Sequence, residues 1–500
     1  MAAHPLDSLF HPRAIAIVGV SASEGARRSA FLGGLLDQQY QERHPLYLVH
    51  PRASEIQGVR CYPTVLDCLG PVDHVISSIP RVGVDALVEQ CIAKGVRSLH
   101  LFTAGFSEAG DAESADAERA VIAMARASGI RVIGPNCLGL YVPSERIAFA
   151  PNQPKEIGTV FGLSQSGVNA IEMLQLAERG PRFSKLVSFG NGADIDAAQL
   201  LDYAAEDPDS VLVVAYLEGA GRGRELFAAL KRCAAVKPVI VLKGGITATG
   251  ARAAQSHTGS LAGSGAVFEA LCRQTGAMLV DDMEELHDLA VAVSSGLRHV
   301  QGGRGILLGT GGGFSVLSAD SIARQGLDLP ELSEATRTAL REYIPVAGNS
   351  TRNPIDATFL GGERLEIPEQ VIALCARAPG FDLLFTSAEG PPPPDAAGGR
   401  PEERAEDRRP GAPDPDAEAR AMARAERARS AAVYFGALQA ESGRPLAVIR
   451  RGRDPVSTRI FFEQAYQHGV AAFPTVLRAA RVVARLLRWR ASREGLPPLF

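Results

Sequence analysis

Short apolar runs rich in β-branched residues, each followed by glycine, proline or a small polar residue, are the feature that most constrains the fold. In the first 150 residues these runs lie at 14–19, 47–49, 74–79, 98–102 and 131–133, with helical stretches at 84–94 and 116–128 between them. Strands that alternate with helices form parallel βαβ units. We therefore predict one doubly wound α/β domain over residues 1–150.

The same alternation restarts twice further along the chain. Apolar runs at 159–163, 185–188, 211–217 and 239–242 predict a second domain over 151–300, and runs at 306–308, 383–386 and 446–449 predict a third over 301–500. A chain of 500 residues is long enough for about three hydrophobic cores. The predicted fold class is α/β, with three doubly wound domains in series.

The stretch 390–430 interrupts the third domain. It is rich in proline and charge and has almost no large apolar residues, so it cannot form a core. We predict a disordered surface loop in its first half and a solvated helix in its second half, which is rich in Ala, Arg and Glu. A binding role for this insert is an open alternative.

Composition excludes several classes of function. A net charge of −4 over 500 residues offers no electrostatic footprint for a nucleic acid or an anionic membrane. The seven cysteines are scattered without a CxxC pair, and no apolar stretch approaches the ~20 residues that span a bilayer. We expect a cytoplasmic protein that has no metal site and binds neither nucleic acid nor membrane.

Two glycine turns of the first domain fall at ends of predicted strands. The loop at 19–25 would direct backbone amides and a helix N-terminus toward an anion, although it lacks the GxGxxG fingerprint. Arg52 follows the second strand, where an NAD site offers an acidic residue, so a phosphorylated ribose suits this position better. Asn136 lies in the second turn, at 134–139, and could bind an amide or a phosphate. A tight turn without a ligand is the alternative for either loop.

Two more strand ends lead into glycine-containing helix starts. The amides around Ser166 and Gly167 are predicted to form an anion nest that the helix dipole reinforces. A triple glycine, Gly311, Gly312 and Gly313, repeats this arrangement in the third domain. No GxxxxGK[ST] motif occurs, so a Walker-type nucleotide site is absent. The nearby NPID at 353–356 fits either an Asx-type turn with a helix cap or a functional turn.

His257 has the most distinctive surroundings of the ten histidines. It lies in QSHTGSLAG at 255–263, where small neighbours leave the imidazole sterically open. A neutral imidazole is a good nucleophile near neutral pH, and its second ring nitrogen needs a partner that fixes the tautomer. Glu218, at the end of the run 211–217, is the candidate partner. A hydrogen-bonded turn residue is the alternative for His257, and we interpret the other nine histidines as structural.

Taken together, these motifs resemble the NDP-forming acyl-CoA synthetases, which are relatives of succinyl-CoA synthetase. The resemblance covers nearly the whole chain apart from the insert, and SHTGSLAG with an upstream LEG is its most specific part. The motifs are IAIVGVS at 15–21, GPNCLG at 134–139, SQSG at 164–167, LEG at 217–219, SHTGSLAG at 256–263, GTGGGFSVLSAD at 309–320 and NPID at 353–356.

The resemblance implies a role for each domain. The first would be a Rossmann-like CoA-binding domain, and the other two would be flavodoxin-like domains related to succinyl-CoA synthetase. His257 would carry the phosphoryl group, Glu218 would orient the imidazole or protonate around it, and the two helix starts would clamp the phosphoryl group from opposite sides. The residues implied in CoA binding are Gly19, Ser21, Arg52, Pro80 and Asn136; those implied in phosphate binding are Ser166, Gly167, Gly311, Gly312 and Gly313.

The implied reaction interconverts acyl-CoA, NDP and phosphate with a carboxylic acid, CoA and NTP, through an acyl phosphate and phosphorylated His257. We find no glycine loop with a basic residue and no acidic metal cluster of the ATP-grasp kind, so we expect no ATP-grasp module after the third domain. The resemblance therefore implies a hetero-oligomer with a separate ATP-grasp beta subunit, which would bring ATP or ADP and Mg²⁺. Neither the small carboxylic acid nor the choice between adenine and guanine can be read from the residues.

Two other classes of function are weighed against this one. A non-catalytic CoA or acyl-CoA sensor or scaffold would keep the fold, but His257, Glu218 and both glycine nests argue against it. A Rossmann dehydrogenase is disfavoured by Arg52 in the acidic position. Protection of the chain by CoA without protection by NAD would exclude the dehydrogenase.

Overall fold

The fold is described from a computed structural model that covers most of the chain. The described residues are 4–21, 30–247, 249–250, 252, 264–309, 311–345, 347–357, 369–388, 417–452, 454–493 and 499. They form an α/β fold with three sheets dominated by parallel pairing, which confirms the predicted fold class. The chain divides into two compact units: the first holds described residues up to 177 and from 182 to 286, the second those from 178 to 181 and from 287 to 498. The domain boundaries at 150 and 300 stay predictions.

The first sheet has seven strands in the order β3-β4-β2-β1-β5-β6-β7. Their bounds are β1 Ile15–Val18, β2 Leu46–Val49, β3 Glu55–Ile56, β4 Val59–Tyr62, β5 His74–Ser77, β6 Ser98–Leu101 and β7 Arg131–Ile133. All neighbours are parallel except the β3–β4 pair. The strand order reverses at β1, which lies between β2 and β5, and open α/β sheets bind ligands at such a point.

Helices cover this sheet because their apolar faces match the apolar strands beneath. They are α2 Ala30–Asp37, α3 Val84–Lys94 and α4 Ala112–Ala127, whereas the short α1 Asp7–Phe10 places Phe10 against Phe161 and Tyr203 further along the chain. Helix α4 begins where the Asp111 side chain accepts the backbone N–H of Ser114, and α3 ends at Gly95, whose φ of 76° suits a glycine cap. Short 3-10 turns elsewhere in the described chain are Tyr40–Glu42, Arg81–Gly83, Ser107–Ala109, Pro143–Glu145, Gln175–Arg179 and Gly296–His299.

The second sheet belongs to the same compact unit and has the order β13-β12-β11-β9-β10-β8. Its strands are β8 Gly139–Tyr141, β9 Val160–Ser164, β10 Phe183–Ser188, β11 Leu212–Leu217, β12 Val239–Lys243 and β13 Met278–Val280, and its helices are α5 Gly167–Leu174, α6 Ala197–Glu206, α7 Gly223–Val236 and α8 Gly265–Thr275. The next helix, α9 Met283–Val293, belongs to the second unit from His287 onward. The edge strand β8 pairs antiparallel with β10. The strand order reverses at β9, which lies between β11 and β10.

Buried polar contacts fasten the first two sheets together. The backbone N–H of Val132 donates to Oδ2 of Asp194 at 2.8 Å, and Nε of Arg131 donates to the same oxygen at 3.0 Å. The backbone N–H of Asn191 donates to the carbonyl of Pro135 at 3.1 Å. The loops that follow β7 and β10 are therefore held side by side.

The third sheet lies in the second compact unit and is parallel throughout, in the order β15-β14-β16-β17-β18. Its strands are β14 Gly305–Gly309, β15 Ile355–Asp356, β16 Leu383–Ser387, β17 Leu446–Ile449 and β18 Ala471–Phe473, and its helices are α10 Gly312–Arg324, α11 Glu334–Arg341, α12 Glu369–Arg377, α13 Ala417–Ser442, α14 Pro455–Gln467 and α15 Val476–Ser492. Among the residues that the structure describes, no helix is both long enough and apolar enough to cross a bilayer.

The predicted insert differs from expectation at its C-terminal end. Its first half lies outside the described residues, and its second half enters the 26-residue helix α13. Ala428 is buried and belongs to the same apolar cluster as Ala432 and Phe435. The solvated-helix prediction is therefore wrong at Ala428, because helical spacing places this small side chain on the packed face with Ala432.

Candidate functional site

The carboxyl ends of three adjacent strands in the second sheet form the core of the candidate site. Gln165 follows β9, Glu218 follows β11, and Lys243 is the last residue of β12. Since β11 pairs in parallel with both β9 and β12, these residues meet at one edge of the sheet.

Helix α5 begins at this edge with free backbone donors. Ser166 is its N-cap, and the Ser166 Oγ accepts the N–H of Asn169 at 3.4 Å. The N–H of Ser166 donates to Oγ of Ser164 at 3.2 Å. Within the described chain, the N–H groups of Gly167 and Val168 have no partner, as expected in a first helical turn. They can bind an anion, and the helix dipole favours one there.

Glu218 presents a buried carboxylate oxygen that no described residue satisfies. The residue is 8% exposed, and its Oε1 accepts the Tyr216 hydroxyl at 3.1 Å. The other oxygen, Oε2, is buried without a hydrogen bond from the described chain. Buried polar atoms are normally paired, so this oxygen is suited to accept an N–H from a group at the site. Burial raises the pKa of Tyr216, which keeps its hydroxyl protonated and donating.

Lys243 places a buried cation behind the Glu218 backbone. It is 4% exposed, and its Nζ donates to the carbonyl of Glu218 at 2.7 Å. Burial lowers the pKa of Lys243, and the attraction of the Glu218 carboxylate opposes that change. Sequence reasoning missed both Tyr216 and Lys243. Tyr216 lies two residues before Glu218 on the same strand, and Lys243 is the register partner of Leu217, which only the sheet order reveals.

His257 lies outside the described residues, so its role stays a prediction. The chain leaves the sheet at Lys243, beside Glu218, and enters α8 at Gly265. The segment that carries His257 therefore starts at the same edge as the Glu218 carboxylate.

The third sheet carries the second predicted phosphate site at the start of α10. Gly311 is the N-cap with a φ of 125°, a conformation that favours glycine. Its N–H donates to Oδ1 of Asp356 at 3.1 Å, and a Cβ on Gly312 would lie 3.3 Å from Oδ2 of the same carboxylate. A Cβ on Gly313 would lie more than 4 Å from every other described residue considered around it. The glycine start exists as predicted, but one of its amides already has a carboxylate partner.

The NPID segment holds this region together. The Asn353 side chain accepts the N–H of Leu307 at 3.0 Å and donates to the carbonyl of Gly305 at 2.9 Å, which fastens it along β14. Asp356 ends β15, next to β14, and reaches the glycine loop. Neither an Asx-type turn nor a helix cap describes these contacts, because Asn353 bonds across the sheet.

The predicted CoA-binding residues lie along the carboxyl edge of the first sheet. Gly19 has a φ of 99°, and a Cβ there would lie 2.9 Å from the carbonyl carbon of Ser78. The hydroxyl of Thr103 donates a hydrogen bond to the carbonyl of Ile79, next to Pro80, at 2.8 Å. The carbonyl of Thr103 in turn accepts the N–H of Asn136 at 3.0 Å. These contacts bring Gly19, Pro80 and Asn136 together at the carboxyl edge of the first sheet, where open α/β sheets bind ligands.

The other two predicted CoA residues are exposed, each just beyond the carboxyl end of a strand. Ser21 lies in the loop after β1, and Arg52 lies after β2, where its backbone N–H donates to Nδ1 of His50 at 3.2 Å. A loop without a Cβ at Gly19 lets phosphate oxygens approach its backbone closely. Contacts between these residues and CoA therefore stay a prediction.

Comparison with known proteins agrees with this arrangement. Residues 13–143 match the family model described as a CoA binding domain, and residues 157–293 match that of the succinyl-CoA ligase like flavodoxin domain. The fold and the site thus define an α/β protein that combines a CoA-binding domain with a ligase-type flavodoxin domain.

Relatives of known activity identify the family. The chain is 34% identical over 381 residues to subunit alpha of the ADP-forming acetate–CoA ligase II of Pyrococcus furiosus, which is 76% of this chain and 81% of that subunit. It is 34% identical over 385 residues to the ADP-forming acetate–CoA ligase I of Archaeoglobus fulgidus, covering 76% of this chain but only 54% of that longer relative. The chain belongs to the family of ADP-forming CoA ligases, of the alpha-subunit type, which confirms the resemblance.

A solved structure supports the same assignment. The dinucleotide-forming acetyl-coenzyme A synthetase 1 of Ca. Korarchaeum cryptofilum, in complex with phosphate and ADP, superposes with a TM-score of 0.74 at 29% identity. The match covers 98% of this chain and 97% of that one. These three proteins are ligases or synthetases by name, which lends no support to a non-catalytic sensor.

Proposed function

We propose that this chain is the alpha subunit of an NDP-forming acid–CoA ligase. It interconverts acyl-CoA, NDP and phosphate with a carboxylic acid, CoA and NTP, through an acyl phosphate and phosphorylated His257. The observation that carries the proposal is the buried Oε2 of Glu218, which has no partner among the described residues and lies at the edge where the His257 segment begins.

Glu218 acts on the histidine through charge and orientation. Its Oε2 accepts the N–H of the imidazole nitrogen that does not receive the phosphoryl group, which fixes the tautomer and leaves the other nitrogen nucleophilic. The Tyr216 hydroxyl holds Oε1 at 3.1 Å, so the carboxylate keeps one orientation. When the imidazole becomes phosphorylated, the carboxylate stabilises the positive charge on the ring.

The start of α5 binds the phosphoryl group. The free N–H groups of Gly167 and Val168, with the helix dipole, stabilise negative charge on its oxygens. Such a group needs positioning and charge stabilisation more than covalent assistance. Gly311, Gly312 and Gly313 provide a second cradle at the start of α10.

CoA binds at the carboxyl edge of the first sheet. The Gly19 loop receives its phosphates, Pro80 and Asn136 line this edge, and Ser21 and Arg52 contact the nucleotide end from the exposed side. CoA brings the thiol that attacks the acyl phosphate.

A separate ATP-grasp beta subunit completes the enzyme. The alpha-subunit names of the Pyrococcus furiosus relatives support such a partner. We assign ATP or ADP and Mg²⁺ to that subunit, which exchanges a phosphoryl group with His257. We place the hetero-oligomer in the cytoplasm, where the seven free, buried cysteines would stay reduced.

Phosphorylation of His257 tests this function directly. The chain, co-expressed with an ATP-grasp partner, is incubated with ATP and Mg²⁺ and analysed by mass spectrometry for an acid-labile phosphoryl adduct. We expect the adduct on His257, its loss in His257→Ala, and its discharge by acid and CoA together. A matched control, His468→Ala, should label like the wild type. Labelling that persists in His257→Ala would overturn the proposal.

A further inference from the structure

Gln165 holds its side-chain amide in a fixed orientation at the edge of the second sheet. Its Oε1 accepts the backbone N–H of Glu218 at 2.6 Å and that of Gly219 at 3.1 Å. Its own backbone N–H donates to the carbonyl of Tyr216 at 3.0 Å. The residue therefore joins the end of β9 to the loop that carries Glu218.

These contacts settle which way the Gln165 amide faces. Backbone N–H groups are donors only, so the atom that meets two of them must be the amide oxygen. The NH₂ group consequently faces away from residues 218 and 219. Across the described chain, this Nε2 has no hydrogen-bond partner.

The free NH₂ group lies next in sequence to the free amides of α5. Gln165 directly precedes Ser166, and the N–H groups of Gly167 and Val168 follow. We infer that Gln165 is a phosphate-binding residue whose Nε2 donates a hydrogen bond to the phosphoryl group held at the start of α5. The inference deepens the proposed function and rests on its assignment of Ser166 and Gly167 to phosphate.

A neutral donor suits a phosphoryl group that must leave again. An amide N–H stabilises the oxygens of phosphate through a charge-assisted hydrogen bond, but it carries no charge that would hold the group as a lysine does. The same side chain sets the backbone at Glu218 through Oε1. Gln165 thus links the position of the amide N–H that binds phosphate to the position of the Glu218 carboxylate.

Gln165→Glu separates the two roles. Near neutral pH the new carboxylate still accepts the N–H groups of Glu218 and Gly219, so the loop is kept, but it replaces the NH₂ donor with a negative oxygen. The matched control is Gln90→Glu. Gln90 is also half-buried, and its Oε1 accepts a backbone N–H, that of Val65 at 3.2 Å.

Inorganic phosphate is the probe, titrated into the purified full-length chain by calorimetry or ³¹P NMR. We expect Gln165→Glu to weaken phosphate binding about 10-fold or more, whereas Gln90→Glu should stay within about twofold of the wild type. Equal affinity in the wild type and Gln165→Glu, or no phosphate binding by the wild type, overturns the inference. If Gln165→Glu fails to fold, Gln165→Met replaces it, and wild-type affinity in that variant overturns the inference equally.

A second readout distinguishes this inference from the proposed function. With the ATP-grasp partner present, Gln165→Glu should raise the KM for phosphate in the acyl-CoA-consuming direction more than it lowers kcat. If phosphate binding depends on Gln165 but His257 is never labelled, the proposed function fails and the phosphate site stands. If His257 is labelled and Gln165→Glu behaves as the wild type, only the inference fails.

Discussion

Two helix starts, one at Ser166 in the second sheet and one at Gly311 in the third, share the order of strand, short turn and helix but differ in cap conformation and electrostatics. Each follows a parallel strand, and each has a carboxylate supplied by the neighbouring strand. At the first, Glu218 keeps Oε2 unpaired within the described chain. At the second, Oδ1 of Asp356 accepts the N–H of Gly311 at 3.1 Å.

This difference shows that a glycine-rich helix start is not by itself an anion site. The first start leaves both its amides and a carboxylate oxygen for incoming groups. At the second, the Asp356 carboxylate already accepts the N–H of Gly311, so this amide is no longer available to an incoming anion. We therefore expect the Ser166 start to bind phosphate more tightly than the Gly311 start.

Removing each carboxylate charge gives the largest expected contrast. Glu218→Gln should lower the rate of His257 labelling by about 100-fold or more, because an amide cannot stabilise a charged imidazole. Asp356→Asn keeps an oxygen for the Gly311 N–H and should change the rate by about threefold or less. Quenched-flow labelling of the complex with its ATP-grasp partner measures both. Equal losses in the two variants would show that the two starts do not differ in this way.

Tyr216→Phe should have a smaller effect on the same reaction. The variant removes the hydroxyl that donates to Oε1 of Glu218 at 3.1 Å, so we expect about a 10-fold slower labelling of His257. The fold should survive, because the ring stays in place. A variant that labels at the wild-type rate would mean that Glu218 needs no second hydrogen bond.

The Ser166 cap can be tested for stability and phosphate affinity together. Ser166→Ala should lower the free energy of unfolding by about 1 kcal/mol, since the N–H of Asn169 loses its partner, and it should also weaken phosphate binding. Ser333 caps α11 in the same way, by accepting the N–H of Thr336 at 3.2 Å. Ser333→Ala should therefore have a similar effect on stability in urea unfolding and leave phosphate affinity unchanged. Loss of phosphate binding in both variants would contradict a specific role for Ser166.

Replacing a first-turn glycine by alanine should change the free energy of unfolding in opposite directions at the two helix starts. A Cβ on Gly313 has space around it in the part of the chain that the structure describes, so Gly313→Ala should stabilise the fold by about 0.5 kcal/mol through helix propensity. A Cβ on Gly167 would lie 3.0 Å from Cγ of Leu138, so Gly167→Ala should destabilise the fold by about as much. Thermal unfolding of the two variants measures the signs. Two changes of the same sign would mean that local packing does not distinguish the starts.

Patterns local in sequence predicted much of the fold. The helix at 84–94 and the strand at 131–133 lie where the periodicity placed them. Helix α13 was predicted only in part. The residues around Ala428 show no clear apolar periodicity, and the burial of Ala428 depends on the elements packed against it. The edge strand β8 joins the second sheet through antiparallel pairing with β10, which no local pattern indicates.

The candidate site divides along the same line. Ser166, Gly311 and Glu218 were predicted because each lies within two residues of a strand end, and strand ends can be read from the sequence. The contacts of Gln165 with residue 218 and of Asp356 with Gly311 were missed. The partners are 53 and 45 positions apart, so nothing local relates them.

The sequence by itself determined the α/β class, the strand ends and the small-residue helix starts, because backbone preference and apolar periodicity act over a few neighbouring residues. Only the tertiary structure decided which carboxylate faces which helix start, whether that carboxylate is paired, and which way the Gln165 amide points. Those properties depend on the order of strands in each sheet, and that order is set by packing between segments that are distant along the chain.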